Sequence, residues 1–224
     1  GLGDAGPEWY SYDPVQIGVA GHSVESVSAG EFHICALTEG GSVYCWGYNE
    51  AGLGDGTTND AASTPVEVAL AGSAVGVSAG WQHTCSVMEN GSVYCWGNGG
   101  SGRLGNGDTD DQISPTIVQG ISDAVQVSAG RYHTCAVVTN GSAYCWGLGT
   151  SGQLGNDDSE GGDGPGEYFT PQWVEGGHTF ASISAGHEHT CGVVTNGSAY
   201  CWGGNDYGEL GDDTTTDRHT PTQT

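Results

Sequence analysis

Four histidines and eight cysteines recur at fixed spacing, a pattern that could do chemistry. His33, His83, His133 and His189 each stand two residues before a cysteine: Cys35, Cys85, Cys135 and Cys191. Ten residues on come Cys45, Cys95, Cys145 and Cys201. An imidazole beside two thiols could hold zinc, but zinc sites use short knuckles such as Cys-x-x-Cys, and the chain has none. No Ser/His/Asp set stands apart from the pattern, and a feature present in every unit is a poor active site. The spacing points to four disulfides and to a structural histidine that bonds backbone between units. His22, His178, His187 and His219 show no ligand spacing. We therefore expect no catalytic residue, no enzyme and no resident cofactor.

The elements that position these residues are short strands. Val75–Ser78 and Val125–Ser128 alternate as strands do, and Val24–Ser28 holds the same place in the first unit. Cys85–Met88 and Ser92–Trp96 flank Asn90-Gly91, a strong hairpin signal. With a three-residue loop Glu89–Gly91, Met88 faces Ser92, and counting outward sets Cys85 opposite Cys95. Directly opposed residues of an antiparallel pair are close enough for a disulfide. The same count pairs Cys35–Cys45, Cys135–Cys145 and Cys191–Cys201. Each bridge closes a short loop and contributes roughly 2–3 kcal/mol on the chain-entropy model. A fourth strand is expected after each proline, as at Pro65–Val68. No window has a sustained helical period.

These parts recur in one order. Ser-Ala-Gly ends at Gly30, Gly80, Gly130 and Gly186; Trp-Gly follows each second cysteine; Leu-Gly-Asp or Leu-Gly-Asn follows at Leu53, Leu104, Leu154 and Leu210; and Pro65, Pro115, Pro171 or Pro221 closes the unit. Four strands in each ~50-residue unit describe a propeller blade. Trp46-Gly47-Tyr48-Asn49 leading to Gly52-Leu53-Gly54, and Trp202-Gly203-Gly204-Asn205 leading to Leu210-Gly211, resemble the regulator of chromosome condensation repeat. That resemblance, here of a secreted, disulfide-containing type, covers nearly the whole chain. It implies a β-propeller and no particular activity, because the family serves many functions. Its closed rings usually have seven blades, and this chain has four.

The expected fold is all-β: four tandem four-stranded blades plus an extra N-terminal strand, open or completed between chains. The expected units are 1–19 (a half-repeat with a leading strand), 20–69, 70–119, 120–175 and 176–224. The third unit carries an enlarged acidic loop from Asn156 to Glu167.

Candidate binding residues lie outside the repeat's common pattern. Tyr168, Phe169 and Trp173 follow the enlarged loop, and Trp9, Tyr10 and Tyr12 cluster in the leading segment. Asp108, Asp110, Asp157 and Asp158 are weak Ca²⁺ candidates, since their loops lack the Gly and Glu of an EF-hand. Asn90, Asn140 and Asn196 match the glycosylation sequon at hairpin tips, where Asn-Gly is also what a tight turn needs.

Disulfides place the chain in an oxidising compartment, extracellular or at the cell surface. The absence of any apolar run near membrane-spanning length argues against a spanning helix. Starting at Gly1 without Met, the chain is read as a processed product or a fragment. Gly1–Asp4 and Pro14–Ile17 match the end of a repeat, whereas Thr220–Thr224 lacks the apolar fourth strand. The expected function is an extracellular structural or interaction module whose copies join head to tail into a filament. The alternative is a secreted binder of a carbohydrate or a protein, such as an enzyme inhibitor.

With 27 acidic residues, three Arg and no Lys, the formal charge is −24. Only Arg103, Arg131 and Arg218 could meet phosphates, so DNA and RNA should not bind at physiological salt. A salt-sensitive gel shift at micromolar protein would refute this.

Overall fold

Each repeat forms an antiparallel meander because its strands are short and its turns carry Gly or Asn. The computed structural model describes residues 14–19, 21–49, 52–58, 61–158, 162 and 166–224. The first sheet is β1 (Val24–Ala29), β2 (His33–Thr38), β3 (Val43–Tyr48) and β4 (Ala61–Glu67). The second is β5 (Ala74–Ala79), β6 (His83–Met88), β7 (Val93–Gly97) and β8 (Gln112–Ile117). The third is β9 (Ala124–Ala129), β10 (His133–Val138), β11 (Ala143–Leu148) and β12 (Glu167–Trp173). The fourth is β13 (Phe180–Ala185), β14 (His189–Val194), β15 (Ala199–Gly203) and β16 (Arg218–Gln223). Hydrogen bonds link strands within a sheet in sequence order. The four sheets are blades, and the first strands of successive blades contact one another.

The hairpin register is the one the cysteine count requires. Cys85 pairs with Cys95 and Val87 with Val93, around a turn in which Gly91 takes φ +81°. All four bridges form, each joining residues with Cα atoms 4.1 Å apart.

Three expectations need correction. The fourth strand does not follow the proline but contains it: Pro65, Pro115, Pro171 and Pro221 lie within β4, β8, β12 and β16. Those strands are outermost, and the ladder shifts register there, so a residue without an N–H is tolerated. The last blade does have a fourth strand, because β16 pairs with β15 through its backbone despite its polar side chains. The leading strand expected at Pro14–Ile17 is not formed, since residues 14–19 carry no strand. Blade 4 already has four strands, so no three-stranded sheet waits to be completed. Val19 is instead buried with Tyr44 and Trp46 against blade 1.

The apolar core lies between blades. Leu37, Val43, Leu53 and Val68 of blade 1 meet Ala74, Ala79, Met88 and Trp96 of blade 2, and two further clusters repeat this join. Close approach depends on the Ser-Ala-Gly glycine. A Cβ on Gly80 would lie 2.4 Å from the Gly130 carbonyl oxygen and 2.8 Å from His83 Cε1. Gly76, four residues earlier and within β5, has nothing within 4 Å. Gly80→Ala should therefore lower stability by about 1–3 kcal/mol, while Gly76→Ala leaves it nearly unchanged. Equal denaturation midpoints for the two variants would contradict this.

Candidate functional site

The repeated histidine acts at every internal blade join. His33 Nε2 lies 2.6 Å from Thr84 Oγ1, His83 Nε2 2.8 Å from Thr134 Oγ1, and His133 Nε2 2.9 Å from Thr190 Oγ1. Its partner is thus a side chain of the next blade, where backbone had been expected. The threonine then donates onward: Thr134 to the Arg103 carbonyl (2.8 Å) and Thr190 to the Gln153 carbonyl (2.9 Å). The same carbonyls accept from Trp146 Nε1 and Trp202 Nε1. A threonine that donates must accept from histidine, which assigns the proton to Nε2 and leaves Nδ1 of His83 and His133 without a partner. Burial holds these rings neutral: it lowers His33 to about 4, His133 to about 3 and His83 well below its usual value. A second bond spans each join, with the Ala79, Ala129 and Ala185 amides donating to Ser28, Ser78 and Ser128.

This relay is architecture. A different set of residues faces solvent, in the loops between the first and second strands of the blades and, for Tyr48, at the end of β3. Tyr48, Phe32, Trp81, Tyr132 and His187 form a continuous row with ring centroids 6.0, 6.5, 5.0 and 6.3 Å apart. Phe32 is 42% exposed and Tyr48 44%, while Trp81 and Tyr132 are half-buried. The Arg131 guanidinium lies 4.4 Å from the Trp81 ring and 4.8 Å from the Tyr132 ring. Buried Arg103 lies 5.0 Å from Tyr132 and donates from Nη1 to the Arg131 carbonyl at 3.2 Å. Burial pulls the Arg103 guanidinium down to about 10, so it stays charged at neutral pH. Arg131 also hydrogen-bonds His187 through Nη1.

The sequence reading did not single out this row. In each repeat, one of the two residues between the glycine and the histidine carries a ring, which is the signal that could have found it. The alternation between the first and second positions hid it.

The expected binding residues do not converge. Tyr168 is buried and donates to Asp158 Oδ2 at 2.7 Å. Phe169 packs on the Gly102 turn, and Trp173 is 44% exposed on the outer strand. Trp9, Tyr10 and Tyr12 lie outside the described residues. Asp108 accepts from Asn106 and from the Asp110 amide in an exposed turn, and Asp157 has φ +55°. Among the described residues no three His, Cys, Asp or Glu side chains are grouped to hold a metal ion. The Asn90, Asn140 and Asn196 side chains cap their own hairpins by accepting from the Ser92, Ser142 and Ser198 amides.

The outer faces of the end blades differ from the internal ones. Leu37, Val87 and Val137 are each 1% exposed under the next blade, whereas their counterpart Val193 in blade 4 is 41% exposed. On blade 1, Val24 is 41% and Val27 68% exposed, whereas their counterparts in blade 4, Phe180 and Ile183, are each 3%.

The family model described as RCC1-like domain matches residues 1–224. Yeast RCC1 (Prp20), solved bound to Kap60, superposes with a TM-score of 0.80 at 21% identity, covering 92% of this chain and 49% of that one. Human WBSCR16 superposes with a TM-score of 0.76 at 22% identity, covering 89% of this chain and 51% of that one. The E3 ubiquitin-protein ligase HERC2 of Homo sapiens is 42% identical over 59 residues, 26% of this chain and 1% of HERC2. The chain spans about half the length of the two solved structures.

Neutral buried imidazoles give stability a pH dependence of known sign. An unfolded histidine takes up its proton near pH 6.5, whereas His33 and His133 in the fold do so only near 4 and 3. Between those values the unfolded chain binds more protons, so stability falls as pH drops, by roughly 1.4 kcal/mol per unit per histidine. Denaturation between pH 6.5 and 5, where most carboxylates stay ionised, should show this slope, and His133→Gln should flatten it. A pH-independent midpoint in both proteins would refute the assignment.

Proposed function

The chain belongs to the RCC1-like domain family, and on that premise we propose that it is an extracellular interaction module, not an enzyme. In this reading its copies join end to end through the bare faces of blades 1 and 4. The observation that carries it is the exposure of Val193, 41% where its three counterparts are 1%. The position that the next blade buries in the other three sheets is exposed here. On the opposite end Val24, Val27 and Ala29 occupy the places that Ala74, Val77 and Ala79 hold in an internal join. Each end is half of a contact the chain makes three times internally, and a second copy supplies both halves.

Polar groups support the same pairing. Ser184 has the place of Ser28, Ser78 and Ser128, and the Ala29 amide has the place of those they accept from. One element differs: Ile34 stands where Thr84, Thr134 and Thr190 receive a histidine. The intermolecular join would therefore lack the His–Thr bond and be weaker than an internal one. A head-to-tail contact that does not close builds a filament. The four disulfides favour an oxidising compartment for such an assembly.

Light scattering of the intact, oxidised chain should give a mass that rises with concentration. Val193→Asp and Val27→Asp should each return it to monomer without lowering the thermal midpoint by more than about 1 kcal/mol equivalent, as expected for exposed sites. A monodisperse monomer of the unsubstituted chain at high concentration would rule the assembly out.

A further inference from the structure

The distribution of positive charge is the least expected feature of this surface. The chain has 27 carboxylate side chains and three guanidiniums. Arg218 pairs with Asp212 at 2.6 Å, and the Thr214 hydroxyl together with that guanidinium draws the Asp212 carboxyl down to about 2. Arg103 and Arg131 behave differently. Among the described residues neither forms an ion pair with a carboxylate, in a molecule with nine acids for each arginine. Both instead lie against the Trp81–Tyr132 ring pair. Buried Arg103 supports Arg131 from behind through the Arg131 carbonyl, leaving Arg131 half-buried at the centre of the row.

We propose that the row Tyr48–Phe32–Trp81–Tyr132, with Arg131 at its centre, binds a carboxylate-bearing saccharide of the uronate class. The C–H edges of a sugar ring are apolar and weakly positive, and they pack on the negative face of an aromatic ring. A guanidinium presents planar N–H donors that pair with a carboxylate through charge-assisted hydrogen bonds. Gln82 lines the surface beside Phe32, Tyr48 and Trp81, where its amide can donate to or accept from sugar hydroxyls. A small depression lined by Phe32, Tyr48, Trp81 and Gln82 already breaks the surface there.

Other ligands fit less well. Extended peptides are recognised at a sheet edge and helical ones in an apolar groove, and this row is neither, since it runs across loops of successive blades. Polyphosphates and nucleic acids are repelled by the net charge of −24. A ligand with separate carboxylates along a ring-bearing chain can set one of them on Arg131 with its sugar rings against the aromatic row. The site lies in the blade loops and not on the bare end faces, so it stands or falls separately from assembly.

The test is calorimetric titration of the intact, disulfide-bonded chain with trigalacturonate and with neutral trigalactose. Trigalacturonate should bind the more tightly. Arg131→Gln should weaken it about tenfold or more, the loss expected for one charge-assisted bond, and leave trigalactose unchanged. Trp81→Ala should weaken both sugars, and Tyr48→Ser, at the exposed end of the row, serves as a second variant if Trp81→Ala fails to fold. Equal binding of the two sugars, or binding of neither, would overturn the proposal. So would a triglutamate peptide binding as tightly as trigalacturonate, or Arg131→Gln lowering only the thermal midpoint.

Discussion

A four-stranded sheet that is apolar on both faces cannot satisfy itself, and each of the first three blades buries a face on the next. Trp96, Trp146 and Trp202 are fully buried because the preceding blade covers them. The disulfides of the first three blades lie within these clusters, with Cys35, Cys85 and Cys135 wholly inaccessible. The bridges pin each hairpin, but they do not hold blade to blade. That work falls to apolar area, to the Ser–Ala bond and to the His–Thr bond. Such an array approximates a chain of nearest-neighbour contacts, so its two ends are necessarily different from its middle.

The buried polar relay adds specificity to this contact. A histidine with two ring nitrogens inside an apolar join is costly unless its proton has an acceptor. Threonine supplies one and, at the second and third joins, passes its own proton to a carbonyl that also receives the tryptophan of the next blade. Three groups from two blades thus agree only when the blades meet in one register. The close glycine belongs to the same device, because a side chain at Gly30, Gly80 or Gly130 would meet both the histidine and the neighbouring backbone.

Much of this was legible in the sequence because it is arithmetic. A fixed ten-residue offset across an Asn-Gly or Gly-Gly turn leaves one register for the cysteines, and the period of the repeat names the blade. The position of the outer strand was misread because proline usually ends a strand, and only an edge at a bulge tolerates it. The polar β16 was missed for a related reason: an outermost strand is held by its ladder and needs little apolar content. The His–Thr contact spans one repeat plus one residue, as in His33–Thr84, yet repetition alone does not say that neighbouring units touch at those atoms. The ring row was hidden because its members shift between two positions and its arginines come from different loops.

The charge of the molecule bears on both proposed contacts in opposite ways. Two bodies of charge −24 repel, so end-to-end joining must rest on the apolar faces and should strengthen as salt shortens the screening length. A carboxylate ligand at Arg131 is attracted locally by a partly buried guanidinium and repelled at longer range by the surrounding acids. Salt weakens both terms, but the exposed, distant charges are screened more than the half-buried contact. Mild salt should thus favour the two contacts together. What distinguishes them is the source of the free energy: apolar burial at the blade faces, and one guanidinium set among aromatic rings in the loops.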